Sequence, residues 1–553
     1  MVKTKNNPVY CIIILVVCFF AFFMNNHVIP ADYMESRNLA TAQEMVKNGN
    51  YLMPTMNGEL RLEKPPLPTW IAAGIEHLSP DNLMLQRSMA GLAATAMIFF
   101  LFLVVARVSR SYDIGFTAAL LCASFYNVVM MGRLATWDIY CHCFMLGGIY
   151  FLILALDRKG RQWGCFFLSG VLMGLSFLSK GPVSFYALLL PFLASYALVF
   201  RPRMKGKILP LAMMIAVCLL ISFWWYGYIW MFHHEELLAV AGKETTAWTD
   251  RNVRPFWYYW KFPAEAGIWA LFWVTSIVYF FAKRNNTDKR EVFSFSIIWM
   301  FLALILLSVI PEKKTRYLFP LLIPGAINIA MYIFYSAKYA MTKGNKVIFR
   351  LNTIIVALVL CAIPVAMYII FVQKELISLS TYIIITVSFL LLAVVMLKGL
   401  WRKRGIAVMR IFACFILAMI VAECFYAEPV RNLFINEKRH SIRLLRDNER
   451  LRDLPFYHNA DEFLRMELVY ESNRVITPLD LNNDSVFYGK LPLVLITQEP
   501  TDSVLKGKNI EIDYIGTFDN NWQKQRNKKY NEKLVSHVAV IRIARDSVNL
   551  SEN

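Results

Sequence analysis

Residues 32–70 read DYMESRNLATAQEMVKNGNYLMPTMNGELRLEKPPLPTW, a polar stretch held between apolar runs at 10–28 and 83–107. Within Glu35 to Asn48, the residues Leu39, Ala42, Met45 and Val46 recur at helical spacing, with Gln43, Glu44 and Lys47 on the other side. That pattern predicts an amphipathic helix lying on a membrane surface, and Gly49 is a natural stop for it. Asn57-Gly58 sits between the extended runs Tyr51 to Met56 and Glu59 to Leu62, which predicts a two-residue hairpin. Glu63-Lys64-Pro65-Pro66 follows at once. A residue before proline is held extended and Pro-Pro stiffens what comes next, so Lys64 is presented on a rigid arm. Asp32 and Glu35 stand three apart at the helix start, the spacing of a capping box. Capping would occupy Glu35, because a carboxylate held by backbone amides is a poorer base.

Working outward, the 553 residues are 57% hydrophobic and only 18% charged, more apolar surface than one soluble core could hide. The fold class is therefore an α-helical polytopic membrane protein. The cysteines at 11, 18, 122, 141, 143, 165, 218, 361, 414 and 424 all fall in apolar runs and read as small core residues rather than a disulfide framework. Cys141-His142-Cys143 is no zinc site by its spacing, since neighbours on a helix point in different directions. The run His233 to Glu236 lacks the second histidine one turn on that a zinc protease helix needs. A net charge of +19 is dispersed through short loops and forms no single face, which excludes nucleic acid as the partner and leaves the lipid bilayer.

Lys3 and Lys5 precede the first apolar run, Tyr10 to Val28, which has no small-residue cleavage pattern after it and reads as a retained span. Further runs lie at 83–107, 113–131, 137–156, 163–179, 182–200, 207–230, 263–283, 292–311, 315–336, 349–372, 378–398 and 405–427, about thirteen spans in all. With a cytoplasmic N-terminus, alternate loops hold Arg107/Arg110, Arg158/Lys159/Arg161, Arg201/Arg203/Lys205/Lys207, Lys283/Arg284/Lys289/Arg290, Lys338/Lys343/Lys346 and Lys398/Arg402/Lys403/Arg404, a positive-inside pattern. The domains expected are a membrane domain, 1–427, with outer loops at 30–82 and 231–262, and a small outer α/β domain, 428–553. In that tail Ile442 to Leu451 reads as helix, and Leu493 to Thr497 and Val538 to Ile543 as strands.

Against the positive-inside bias, the outer side keeps Lys64, Arg133, Lys180, Arg251, Arg254, Lys313, Lys314 and Arg316. Several lie in compact motifs: GRLATWD (132–138), FLSKGP (177–182), RPFWYYW (254–260) and IPEKKTRYLFP (310–320), the last also holding Tyr317. Charge at the edge of a bilayer is costly without a partner, and cations gathered over long apolar helices suit an anionic head group on a lipid tail, such as an isoprenoid phosphate ester. Each residue has a plainer account. Lys180 could end a helix and snorkel; Arg133 and Asp138 could pair across two helix ends; Lys313, Lys314 and Arg316 could form a solvated rim; Lys64 could bridge to Glu63 or Glu59. A transporter or flippase of a lipid-linked anion is the main rival, although no internal repeat is visible and the charges sit at one face. A lipid-linked oligosaccharide polymerase or ligase is a third reading.

The loop MESRNLATAQEMVKNGNYLMPTMNGELRLEKPPLPTW, the RLATWD turn, FLSKGPV, PFWYY and KKTRYLFPLLIP resemble the lipid-A aminoarabinose transferase branch of the protein O-mannosyltransferase superfamily, in order over about residues 10–335. The resemblance implies a polytopic glycosyltransferase fold of the C type in the bacterial inner membrane. It implies an enzyme that moves a sugar from a polyprenyl-phosphate carrier, undecaprenyl phosphate in bacteria, to an acceptor on the periplasmic face: lipid A, another surface glycolipid, or a protein hydroxyl. In the family an acidic pair opens the first outer loop; the matching positions here are Met34 and Glu35, so either Glu35 or Asp32 supplies the carboxylate, or the enzyme has diverged. Lys64 falls on the family's phosphate-binding lysine, Arg254 near a family arginine with Arg251 as competitor, and Asp138 on an acidic position at the outer end of a span. Such a transfer needs a carboxylate to take the acceptor proton and cations to stabilise the leaving phosphate, and it demands no metal or cofactor. No oligomeric state is legible.

Overall fold

The computed structural model describes residues 7–282, 288–402 and 405–544; the loop residues Lys3, Lys5, Lys283, Arg284, Lys403 and Arg404 lie outside them. The chain forms two compact units: one of residues 1–26, 62–68 and 84–429, the other of 27–61, 69–83 and 430–553.

The first unit is helical. Among the described residues, ten of its helices are long and apolar enough to cross a membrane, or eleven when one bent pair counts as a span, so the protein is a multi-pass membrane protein and the expected thirteen is not confirmed. The bent pair, Tyr112–Ala123 and Tyr126–Gly132, turns by 70° within what reads in sequence as one span. Ser124 and Phe125 break it: Phe125 takes extended backbone, and the Ser124 hydroxyl turns back onto Leu120 and Leu121 carbonyls while accepting from the Trp269 indole at 2.9 Å. Two other apolar helices, Pro8–Phe23 and Phe185–Phe200, are shorter than a full span, and each contains a π-helical turn. Arg133 ties the first helix to Val408–Phe425, the last apolar span. Its Nε and Nη2 donate to the Ala21 and Phe20 carbonyls at 2.6 and 2.9 Å, Nη1 donates to the Tyr426 hydroxyl at 2.6 Å, and Nη2 meets Glu423 at 2.5 Å. The expected pairing of Arg133 with Asp138 is thus replaced by one with Glu423.

The second unit is built on a five-stranded sheet in the order β4-β3-β5-β7-β6. Its strands are β3 (Phe456–Asn459), β4 (Ile476–Leu479), β5 (Leu493–Thr497), β6 (Ile510–Asp519) and β7 (Val535–Ile543). β3 runs parallel to β4 and β5, whereas β7 is antiparallel to β5 and β6. Every residue of β5 is buried, as befits a central strand covered on both faces. Leu479, Phe487, Leu493, Leu495, Ala539 and Ile541 form its core. Ile442 to Leu451 forms two short 3-10 turns instead of one helix, Ile442–Asp447 and Glu449–Leu451.

The segment after the first span belongs to this second unit up to Arg61. Its helix is Tyr33–Asn48, ended by Gly49 in the left-handed region, and the hairpin strands are β1 (Thr55–Met56) and β2 (Glu59–Leu60) around Asn57 and Gly58, both at positive φ. The polar side of this helix is only partly wet: Lys47 is exposed, but Gln43 and Glu44 are buried. Glu44 accepts from the Thr55 hydroxyl at 2.7 Å and from the Asn57 and Gly58 amides at 2.5 and 3.2 Å; Gln43 donates to Asp81 at 3.0 Å, and Asn38 accepts from Thr69 at 2.7 Å. Asn57 also donates to the Ile476 carbonyl at 2.8 Å and accepts from its amide at 2.7 Å, sewing the turn to the start of β4.

Candidate functional site

Four segments of the membrane unit bring their charged residues together. Asp138 lies in the first turn of Trp137–Asp157, after the RLAT turn. Lys180 is the last residue of Trp163–Lys180, which Gly181 ends at φ 71°. The Lys180 ammonium does not snorkel to the interface; it pairs with Asp138, with the two side chains 9% and 5% exposed. Arg316 lies within electrostatic range of the same carboxylate. His142 follows one turn after Asp138 and stacks on Phe319 at 5.1 Å, while Cys141 accepts the Ser176 hydroxyl on its carbonyl at 2.6 Å.

Tyr317 is the hub. Lys180 Nζ, Lys314 Nζ and Arg316 Cζ lie 5.6, 5.6 and 5.7 Å from its ring centroid, so one ring holds three cations from two segments. Lys314 is fixed from the other side by Glu312, 2.7 Å away, and the same carboxylate accepts from Arg251 Nε at 3.0 Å. The loop carrying Glu312 is zipped to the segment before Phe256: Val253 and Glu312 form an antiparallel bridge, with Arg254 N on the Pro311 carbonyl at 3.2 Å and Lys313 N on the Asn252 carbonyl at 3.2 Å. Burial pushes the Glu312 carboxyl up, but its bonds to Lys314 and Arg251 prevail and hold it below the usual carboxylate range. Burial in turn lowers the Lys314 ammonium in spite of that carboxylate.

Four of the expected cations belong neither to the ring nor to the Glu312 clasp. Lys313 is no solvated rim; it is 3% exposed and its ammonium sits on the Ile310 and Arg254 carbonyls at 2.6 and 3.1 Å, a loop anchor. Arg254 is exposed and makes no ion pair among the described residues. Arg133 is committed to the tie described above. Lys64 is half-buried in a bend ahead of Leu67–Leu78.

In the second unit Asp32 caps Tyr33–Asn48, accepting from the Met34 and Glu35 amides at 2.8 Å each, while the wholly buried Glu35 folds back to the Asp32 amide at 3.4 Å. The capping box is formed. Beside it Arg465 stacks over Tyr33 at 4.6 Å and donates to Glu467 at 3.1 Å, and burial raises the Glu467 carboxyl. Asp32→Ala is expected to lower stability by about 1 kcal/mol, read as a shift in the detergent-solubilised melting curve, because two helix amides lose their acceptor.

Residues 63–226 match the family described as dolichyl-phosphate-mannose-protein mannosyltransferase. ArnT from Cupriavidus metallidurans, solved bound to undecaprenyl phosphate, superposes on 98% of this chain and 99% of its own with a TM-score of 0.68, at 16% identity. The chain therefore shares the fold of that protein. Among curated relatives, an uncharacterized protein of Aquifex aeolicus is 27% identical over 58% of this chain. Undecaprenyl phosphate-alpha-4-amino-4-deoxy-L-arabinose arabinosyl transferase 1 of Pseudomonas fluorescens is 25% identical over 53%. The matches span 63% and 52% of those relatives' own lengths.

Within this fold, the acids that neutralise the basic residues were missed from the sequence. Glu312 pairs with two basic residues and Glu423 and Glu467 with one each; Glu312 stands directly before Lys313-Lys314 and Glu467 two residues after Arg465, whereas Glu423 had no local signal.

Proposed function

We propose that this protein transfers a sugar from a polyprenyl-phosphate carrier to an acceptor on the periplasmic side of the bacterial inner membrane, with undecaprenyl phosphate as the carrier and lipid A as the acceptor. The observation that carries this reading is the gathering of Lys180, Lys314 and Arg316 on the Tyr317 ring, next to Asp138 and above apolar helices. Cations so placed bind a phosphate and stabilise the charge that grows on it as the sugar leaves. Lys64 and Arg254, which stand apart from the ring, are further nominees for the carrier phosphate, and Arg251 joins the cluster through Glu312. The names of the relatives favour a pentose, 4-amino-4-deoxy-arabinose, over a hexose. The acceptor proton goes to a carboxylate, for which Asp138, Asp32 and Glu35 are the nominees. Glu35→Gln separates base from cap: a base loses nearly all transfer with the fold intact, a cap loses part of it together with stability.

The direct test supplies purified protein with a short polyprenyl-phosphate sugar and lipid A, following release of the bare carrier phosphate and the mass gain of lipid A. Both are expected. Arg254→Ala is expected to lose about tenfold or more in kcat/KM for the donor, the worth of one charge-assisted hydrogen bond, without loss of stability. Movement of the intact donor across proteoliposomes with no cleavage would overturn the reading in favour of a flippase.

A further inference from the structure

The cation cluster contains an anion that phosphate binding alone does not call for. Glu312 is 5% exposed, it is clamped by Lys314 at 2.7 Å and Arg251 at 3.0 Å, and its backbone is pinned by the bridge to Val253. A buried carboxylate is tolerated only with such partners. Placed there, it removes positive charge from a group whose cations are Lys180, Lys314, Arg316 and Arg251 and whose other acid is Asp138, leaving a net of two positive charges.

The chemistry of the transfer gives that negative charge a use. The donor is a phosphodiester with one negative charge. When the bond from the sugar carbon to the phosphate oxygen breaks, the electron pair stays on that oxygen, the acceptor oxygen bonds to the carbon and its proton goes to a base. The spent carrier is then a phosphate monoester with close to two negative charges. A site made of cations alone would grip that product harder than the donor, and turnover would stall on release.

We propose that Glu312 is a specificity-determining residue: its carboxylate, set against Lys314 and Arg251, weakens the hold of the cluster on the doubly charged spent carrier more than on the singly charged donor, and so hastens product release. This rests on the reading of the cluster as a carrier-phosphate site. Glu312 acts through Lys314 and Arg251 and touches no reacting atom, so it is a positioning residue whose mark is charge discrimination. Coulomb energy is linear in the ligand's charge, and the effect of removing Glu312 therefore doubles, in logarithm, from donor to product.

The experiment measures binding of farnesyl phosphate and of its methyl phosphodiester to full-length protein in detergent, at pH 8 and fixed salt, for wild type, Glu312→Gln and Glu312→Ser. In either neutral variant the diester is expected to tighten by about threefold and the monoester by about ninefold, the square of the first. In steady-state transfer the same variants are expected to show stronger inhibition by farnesyl phosphate. Equal changes for the two ligands, weakening of both, or failure of both variants to fold would overturn the proposal, leaving Glu312 as a loop clasp. If wild type binds neither ligand, the carrier-site reading itself falls and the proposal with it, a result recognisable because it appears without any substitution.

Discussion

Asp138→Ala is expected to lower the stability of the membrane unit by about 3–5 kcal/mol, the cost of leaving one member of a buried ion pair alone. The pair is well buried, with the Lys180 side chain 9% and the Asp138 side chain 5% exposed, and Arg316 adds a second positive charge near the vacated position. Loss of the carboxylate strands the Lys180 ammonium where water reaches it poorly, and the helix end at Gly181 leaves it little freedom to turn away. Asp138→Ala is also expected to lose transfer; adding Lys180→Met removes the stranded charge, so the double variant is expected to regain most of the lost stability but not the transfer. Denaturant titration in mild detergent reads the first effect and carrier release the second. If Asp138→Ala costs no more than an exposed pair, under about 1 kcal/mol, the pair is wetter than its burial implies and its role in holding the Tyr317 cluster is lost.

That pair illustrates what a sequence carries and what it does not. FLSKGP and RLATWD mark Lys180 and Asp138 as unusual because each is a charge at the end of an apolar run, but their 42-residue separation hides that they answer each other. The spans themselves were legible: apolar length and loop charge are one-dimensional quantities, and the run predicted at 83–107 is observed as Leu83–Ser109. The bend at Ser124-Phe125 was not, since a serine within an apolar run leaves the mean hydropathy high while its hydroxyl bonds back to the Leu120 carbonyl, a contact that favours bending. The helix predicted over Glu35 to Asn48 is observed as Tyr33–Asn48, with Gln43 and Glu44 buried where a wet face was expected. Its polar residues look like a wet face until the hairpin amides and Asp81 that they bind are known. Of the sheet, β5 and β7 showed as β-rich runs, whereas β3 and β4 have four residues each, with polar residues and Pro478 among them, and fall below what periodicity detects. The acids that hold the basic residues in place were the least legible part. Glu423 meets Arg133 across 290 positions, and no spacing rule reaches that far.

Among the residues that gather the phosphate-binding cations, Tyr317 carries the largest expected functional loss. Three cations lie within 6 Å of its ring, and at a partly desolvated site each such contact is worth about 1 kcal/mol, so removing the ring costs about 3 kcal/mol of cation positioning. Tyr317→Ala is therefore expected to lower kcat/KM for the donor by about a hundredfold, most of it in KM, because the cations spread apart before the phosphate arrives. Tyr317→Phe keeps the ring and its negative face, and is expected to stay within about fivefold of wild type. The comparison separates two roles of one residue. If the phenolic hydroxyl itself grips the phosphate, Phe fails nearly as badly as Ala; if the ring gathers Lys180, Lys314 and Arg316, Phe succeeds where Ala fails. Steady-state transfer with the donor varied at saturating acceptor decides it, with the melting curve confirming that both variants are folded. Should Ala match Phe, the three cations reach the phosphate without the ring, and the convergence on Tyr317 would be a product of packing rather than of function.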